Sequence, residues 1–189
     1  MVGRMNILAI SGSLRAASLN SALLRTAQRL APDGVDIQLC TFVGDLPLFN
    51  PDLQDMPPMS VMALQMQVAA ADALLIASPE YAHGVTGAVK NLLDWLVSFE
   101  PFVNKPVAVL NASPRAHHAD AALRETLRTM SAALVEPASL SIPLLGSSLG
   151  EADMADAPVV VAAIQTCLTE LQIAVARAKQ NVGPAFSIG

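Results

Sequence analysis

Charge is scarce in this sequence: charged residues make up 14% of it, no Lys or Arg cluster occurs, and the formal net charge is −5. Such a surface repels a polyanion, so nucleic acid is not an expected partner. Cysteine is equally sparse. Cys40 and Cys167 form no CxxC pair, which removes a dithiol redox motif and leaves two thiols expected to be buried in a reducing compartment. Long apolar runs are also missing. A membrane span needs roughly 18 consecutive apolar residues, and a stretch such as Val159 to Ile164 stops at Gln165. The apolar stretch Ile7 to Ile10 is too short for the core of a secretory signal, so the cytoplasm is the expected location.

Several chemical motifs are lacking too. Neither the GxxxxGK[ST] of a triphosphate loop nor the GxGxxG of a dinucleotide fold is present. Ser13 sits in no GxSxG elbow, so it is not read as a hydrolase nucleophile. His117 and His118 are adjacent, do not share a helical face and have no HExxH context, so no metal site is expected.

What the sequence has is apolar patterning. With 53% apolar residues it can bury a substantial core, and 189 residues suit one domain, 1–189, better than two. Met5 to Ile10 reads as a buried strand, followed by a helix burying Leu23, Leu24, Ala27, Leu30 and Ala31 and stopped by Pro32-Asp33-Gly34. Val35 to Thr41 reads as a second strand, Leu46 to Pro58 as a long loop that could wall a site or an interface, and Ser60 to Ala71 as a helix. Ala73 to Ala77 and Pro106 to Leu110 read as buried strands on either side of a helix over Gly87 to Val97. A helix burying Leu123, Leu127, Met130 and Leu134 comes next, then a weaker strand at Pro137 to Ile142. The last helix starts near Pro158 and buries Ile164, Leu168, Leu171, Val175 and Ala178. The tail Asn181 to Gly189 reads as a segment free to move or to reach a neighbouring subunit. Met56, Met59, Met62 and Met66 read as core or interface filler.

Strands this short and this apolar, alternating with helices, belong in an α/β doubly wound parallel sheet with helices on both faces. Ligands of such sheets bind outside the carboxyl ends of the strands. Three loops lie there: Ser11 to Asn20, Ser78 to Gly87 and Asn111 to Asp120. The first leads into a helix N-terminus, where backbone amides favour an anion, and adds the hydroxyls of Ser13 and Ser18, the amide of Asn20 and the fork of Arg15. With no pyrophosphate fingerprint, a monophosphate is the expected ligand group. The second loop offers Tyr81 as a flat surface, backbone near Gly84 and His83 as a polar edge that could line a planar ring.

Four pieces of sequence resemble the NADPH-dependent FMN reductases, a family that includes bacterial quinone, chromate and azo-dye reductases. They are Gly12-Ser13-Leu14-Arg15-Ala16-Ala17-Ser18-Leu19-Asn20, Leu46-Pro47-Leu48-Phe49-Asn50-Pro51-Asp52, Ser78-Pro79-Glu80-Tyr81 and Lys90-Asn91-Leu92-Leu93-Asp94-Trp95. They keep the family's order and spacing over roughly the first hundred residues. The resemblance implies a flavodoxin-like five-stranded sheet in the order 2-1-3-4-5, bound FMN, NADPH or NADH as electron donor, and a quinone, free flavin, azo compound or similar small molecule as acceptor. It implies that Ser13, Arg15, Ser18 and Asn20 hold the FMN phosphate, with Leu14 of the same loop among the cofactor-binding residues. Pro79, Glu80, Tyr81, His83 and Gly84 would contact the ring, with Ser113 and Arg115 completing the cofactor-binding set. Asn91, Asp94 and Trp95 would lie on a helix near the site and at a dimer contact. A homodimer or homotetramer is expected.

The chain departs from the family at two places. After Pro79-Glu80-Tyr81, where relatives show Asn, Ser or Gly and then Ile/Val-Pro-Gly, it has Ala82-His83-Gly84-Val85-Thr86-Gly87. The third loop, often Ser-x-Gly-x-x-Gly-Gly, is Ser113-Pro114-Arg115-Ala116-His117-His118-Ala119. Lost glycines put side chains where backbone would otherwise approach a ligand closely. No general acid or base stands out, and His83, Arg115 and His117 are the polar groups best placed to reach a substrate. The alternatives are a flavodoxin-type electron carrier, which Arg15 disfavours, and a flavin-binding regulatory module without turnover.

Overall fold

The computed structural model describes residues 4–147 and 149–181, with side chains described through residue 180. Its centre is the run of apolar strands read from the sequence: β1 (Met5–Ser11), β2 (Val35–Leu39), β3 (Ala73–Ala77), β6 (Pro106–Leu110) and the short β7 (Ala133–Leu134). They form one sheet in the order β2-β1-β3-β6-β7, and each pairing is parallel. Counting only these five strands, the order is the expected 2-1-3-4-5 of a flavodoxin-like fold. A separate two-stranded hairpin, β4 (Glu80–Tyr81) with β5 (Gly84–Val85), occupies part of the stretch that the sequence marks as a loop.

Period-two alternation sends the apolar side chains of each strand to two cores. Ile7, Ala9, Leu75 and Leu110 face a layer formed by α1 (Leu19–Arg29), α5 (Glu151–Met154) and α6 (Pro158–Asn181). Leu8, Ile10, Leu74, Ile76 and Val109 face α2 (Met59–Ala70), α3 (Gly87–Asp94) and α4 (His117–Thr129). Both faces are covered, which is why the strands can be apolar throughout. Cys40 and Cys167 are buried free thiols as expected, and burial pushes Cys167 up to about 12.

The structure corrects the sequence reading in the fifth strand and the helix before it. Leu134 is not on a helix: α4 ends at Thr129, and Leu134 pairs with Val107 in β7. Pro137, which has no amide to donate, sits in a 3₁₀ turn over Glu136–Ala138, so only an isolated bridge between Asn111 and Ser141 survives of the strand expected at 137–142. The four methionines are not core: Met56, Met59 and Met66 are more than two-thirds exposed and Met62 about half. By length and a mean hydropathy of 1.7, the 158–180 helix is also apolar enough to cross a membrane, which a count of unbroken apolar residues did not register. In this fold its Val160, Ile164, Cys167, Leu168, Leu171 and Val175 stripe packs on the sheet. The expectation for the tail falls on residues 182–189, outside the described ones.

The loop over 46–58 contains a 3₁₀ turn at Pro51–Leu53 and is held down by α3. Asn91 accepts the Phe49 amide at 2.8 Å and donates to the Pro47 carbonyl at 3.0 Å, and the Trp95 indole donates to the same carbonyl at 2.8 Å. Phe49 meets the Trp95 ring edge to face. Two of the four sequence pieces, the second and the fourth, are therefore one structural unit.

Candidate functional site

Parallel strands all deliver their following loops to one edge, and here the loops after β1, β3 and β6 enclose a cavity of about 360 Å³. A larger groove of about 1250 Å³, lined in part by Asp72, Lys105 and Lys179, lies at the opposite edge, where β3 and β6 begin. Ligands of doubly wound sheets belong to the carboxyl edge, so the smaller, more sharply walled cavity is the candidate site.

The first loop leaves β1 at Gly12, whose amide donates to the Ala77 carbonyl at 2.8 Å. A Cβ there would lie 2.3 Å from Ser78 Oγ, so only glycine lets the first and second loops come this close. Ser18 then caps α1 by accepting the Ser21 amide at 3.3 Å. The remaining first-turn amides of a helix have no partner within it, and the first turn of α1 meets the cavity at Ser18 and Asn20, with Ser13 in the same lining. These three side chains are buried while Arg15 is exposed, and all four line the cavity. Asn20 Oδ1 is buried with no hydrogen-bond partner. An unsatisfied buried acceptor is costly unless a ligand or water donates to it.

The second loop contributes Pro79, Glu80 and Tyr81 to the wall, with the Tyr81 ring more than half exposed at the lip. The hairpin turns through Ala82 and His83, both in the left-handed region at φ 49° and 59°. Thr86 takes a capping role instead of a cavity one, accepting the Val89 amide at 3.4 Å to start α3. Glu80 reaches across to the third loop, where its Oε2 accepts the Ala119 amide at 2.9 Å and its Oε1 lies 3.1 Å from His83 Nδ1. The Ala119 bond, aided by His83 and His118, holds the Glu80 carboxyl below the usual carboxylate range against a smaller opposing effect of burial.

In the third loop the Asn111 side chain stitches the turn together. Its Oδ1 accepts the Ser113 amide at 2.9 Å and its Nδ2 donates to the Ala116 carbonyl at 3.3 Å. Ser113 and Arg115 line the cavity.

Of the twelve residues expected at a cofactor, nine line this cavity: Ser13, Arg15, Ser18, Asn20, Pro79, Glu80, Tyr81, Ser113 and Arg115. Leu14, His83 and Gly84 are not among its lining residues. Leu14 is 65% exposed and its side chain stands over Gly44. The sequence reading missed Ser78, Asn111 and Leu145. Asn111 had a usable signal, being the first polar residue after a buried strand, whereas Leu145 had none. Among the described residues no group of three or more His, Cys, Asp or Glu side chains could hold a metal ion.

The model of the NADPH-dependent FMN reductases matches residues 5–144. The chain belongs to this family. Over 112 residues it is 44% identical to an NAD(P)H-dependent FMN reductase of Pseudomonas aeruginosa, covering 58% of this chain and 60% of that one. Over 117 residues it is 33% identical to a quinone reductase of Escherichia coli, covering 60% and 62%. The match thus spans about three-fifths of the length of both relatives. Among solved structures, the flavoenzyme NAD(P)H:(acceptor) oxidoreductase FerB of Paracoccus denitrificans is similar at a TM-score of 0.74 and 27% identity, covering 89% of this chain and 98% of that one. Family membership and the flavodoxin-like sheet thus agree with what the four sequence pieces implied.

Proposed function

We propose that this chain, as a single domain, is an FMN-dependent oxidoreductase that takes electrons from NADPH or NADH and passes them to a quinone, free flavin, azo compound or similar small acceptor. The observation that carries the reading is that one cavity is lined by two kinds of group. The start of α1 with Ser13, Ser18 and Arg15 offers donors to a phosphate. Pro79 and Tyr81 offer flat apolar surface. In the same lining the unpaired Asn20 Oδ1 fits a hydroxyl-bearing chain such as the ribityl of FMN, whose hydroxyls can donate to it.

FMN would supply the electron-transfer chemistry. The residues of this chain would anchor it through Ser13, Arg15, Ser18 and Asn20, with the exposed Tyr81 and Arg115 of the lining left to meet an incoming molecule. The names of the relatives, an FMN reductase, a quinone reductase and an NAD(P)H:(acceptor) oxidoreductase, support the same reading.

A homodimer or homotetramer is part of this proposal. Twelve-residue α2 carries no charged residue and is apolar on two sides, burying Val61, Leu64 and Val68 while exposing Met59, Met62 and Met66. Helices apolar all round are normally covered. The net charge of −5 supports small molecules over nucleic acid as partners, and the buried free thiols fit a reducing, cytoplasmic setting.

The test is direct. Purified protein titrated with FMN binds it one to one, and the loaded protein oxidises NADPH or NADH continuously when menadione is supplied. Flavin binding without turnover makes the chain an electron carrier, and failure to bind FMN overturns the proposal.

A further inference from the structure

We infer that the outer rim of the cavity, formed by His83, His117, His118 and Arg115, docks an anionic group, a carboxylate, sulfonate or phosphate, on the molecule that exchanges electrons in the cavity. The inference rests on the functional reading above and adds to it the charge class of the substrate.

The sequence contains three histidines, and the fold gathers all of them at this one place from two separate segments. His83 comes from the β4–β5 turn, and His117 and His118 from the first turn of α4. The His83 and His118 rings meet edge to face with centroids 4.5 Å apart, and the His117 and His118 rings lie 4.1 Å apart. The fold does not need them for its core, since all three are exposed, His83 with 75% of its side chain accessible. They are adjacent to the cavity wall: His83 bonds to Glu80, and the His117 Nδ1 lies 3.1 Å from the carbonyl of Arg115, both wall residues.

The balance of charge at the rim is one-sided. Imidazole is the side chain that ordinarily changes charge between pH 5 and 8. Three of them beside an arginine repel one another once protonated, and an anion placed among them relieves that repulsion. The opposing groups are few. From the hairpin, Glu80 is the acid in contact, and one of its oxygens is committed to the Ala119 amide. Tyr81 offers a phenol. From α4, Asp120 is tied to Arg124 at 2.7 Å. The positive end of the α4 dipole adds to the same side of the balance.

The experiment is calorimetric titration of the FMN-loaded full chain at pH 6 and pH 8. The probes are naphthalene-1-sulfonate, its uncharged counterpart 1-naphthol, and the pair NADP+ and NAD+. Exposed ion pairs of this kind change affinity by about fivefold, so the anionic probe binds about fivefold more tightly at pH 6 while 1-naphthol does not change. In the His83→Gln/His117→Gln/His118→Gln variant the pH difference disappears. In Arg115→Gln affinity falls at both pH values and the pH difference remains. A response confined to naphthalene-1-sulfonate assigns the rim to the acceptor, and one confined to NADP+ over NAD+ assigns it to the nucleotide phosphate.

The inference is overturned if charged and uncharged probes behave alike, or if the triple variant keeps the wild-type pH difference. Flavin content is read separately from visible absorbance. A chain without flavin counts against the functional reading, and the same titration on that flavin-free protein still decides the rim.

Discussion

Glu80 caps a helix to which it does not belong: its carboxylate accepts the amide of Ala119, thirty-nine residues away, in the first turn of α4. The residue before that helix, Ala116, has no side chain able to cap it. One carboxylate therefore ties the second loop of the site to the third, and it does so as an anion at a helix N-terminus, where negative charge is favoured.

The Glu80→Gln variant lowers the melting temperature at pH 7. The folded carboxyl titrates below its unfolded value of about 4.3, so its contribution is complete above that value and is lost as pH falls through the lower, folded one. Thermal melts between pH 7 and pH 3 check this: the gap between wild type and variant narrows toward the acid end. A gap of equal size at both values would mean that Glu80 acts through shape, not charge.

Arg15→Ala weakens FMN binding by about tenfold or more, the loss of a charge-assisted hydrogen bond. Because Arg15 is exposed, the flavin-free protein keeps its stability. Ser18→Ala does both kinds of damage, removing the proposed phosphate donor and the cap on the Ser21 amide, a cap worth about 1 kcal/mol. Flavin fluorescence titration and urea unfolding separate the two effects.

Gly12→Ala places a methyl 2.3 Å from Ser78 Oγ, 2.7 Å from Ser78 Cβ and 2.9 Å from Val89 Cγ2. Overpacking of this kind costs about 1–3 kcal/mol, and relief requires the first two loops to part. Urea unfolding should show the destabilisation, and FMN titration a loss of affinity in the same variant.

Asn91→Ala leaves the Phe49 amide without its acceptor and takes one of two donors from the Pro47 carbonyl, which keeps the Trp95 indole, for a loss of about 1–3 kcal/mol. Hydrogen exchange at the Phe49 amide rises in the variant. Trp95→Phe, which keeps the ring against Phe49 and loses only the indole donor, has the smaller effect.

Met59→Glu/Met66→Glu puts charge on the uncharged outer face of α2. Sedimentation velocity tests the assembly proposed for this face. The wild type runs as an oligomer and the variant as a monomer with unchanged circular dichroism.

Most of the fold was legible because buried parallel strands are short apolar runs with no competing pattern: Ala73–Ala77 and Pro106–Leu110 have the same limits by both routes. Ser13, Ser18 and Asn20 were legible because a strand–loop–helix order fixes where their side chains face. Leu134 misled because it continues the helical spacing of Leu123 and Leu127, and only pairing with Val107, a contact remote in sequence, makes it a strand residue. The methionines of α2 were legible only as core or interface, because hydropathy cannot separate an inner apolar face from an outer one, and their exposure rules out the core. Glu80 was found for its position and not for its bond: a helix cap supplied from another loop leaves no local pattern. Leu145 is similar, since it reaches the cavity only through the path of the chain after the isolated Asn111–Ser141 bridge.

The turn at Ala82 and His83 sets stability against chemistry at a single residue. Both residues hold φ values that side-chain-bearing amino acids resist, at 49° and 59°, whereas Asn-Gly adopts such a two-residue turn without strain. Replacing Ala82-His83 by Asn-Gly should raise the melting temperature and also remove one imidazole from the mouth of the site. An attempt to make this protein hardier by idealising its turns would thus start by deleting part of what it uses to meet its substrate.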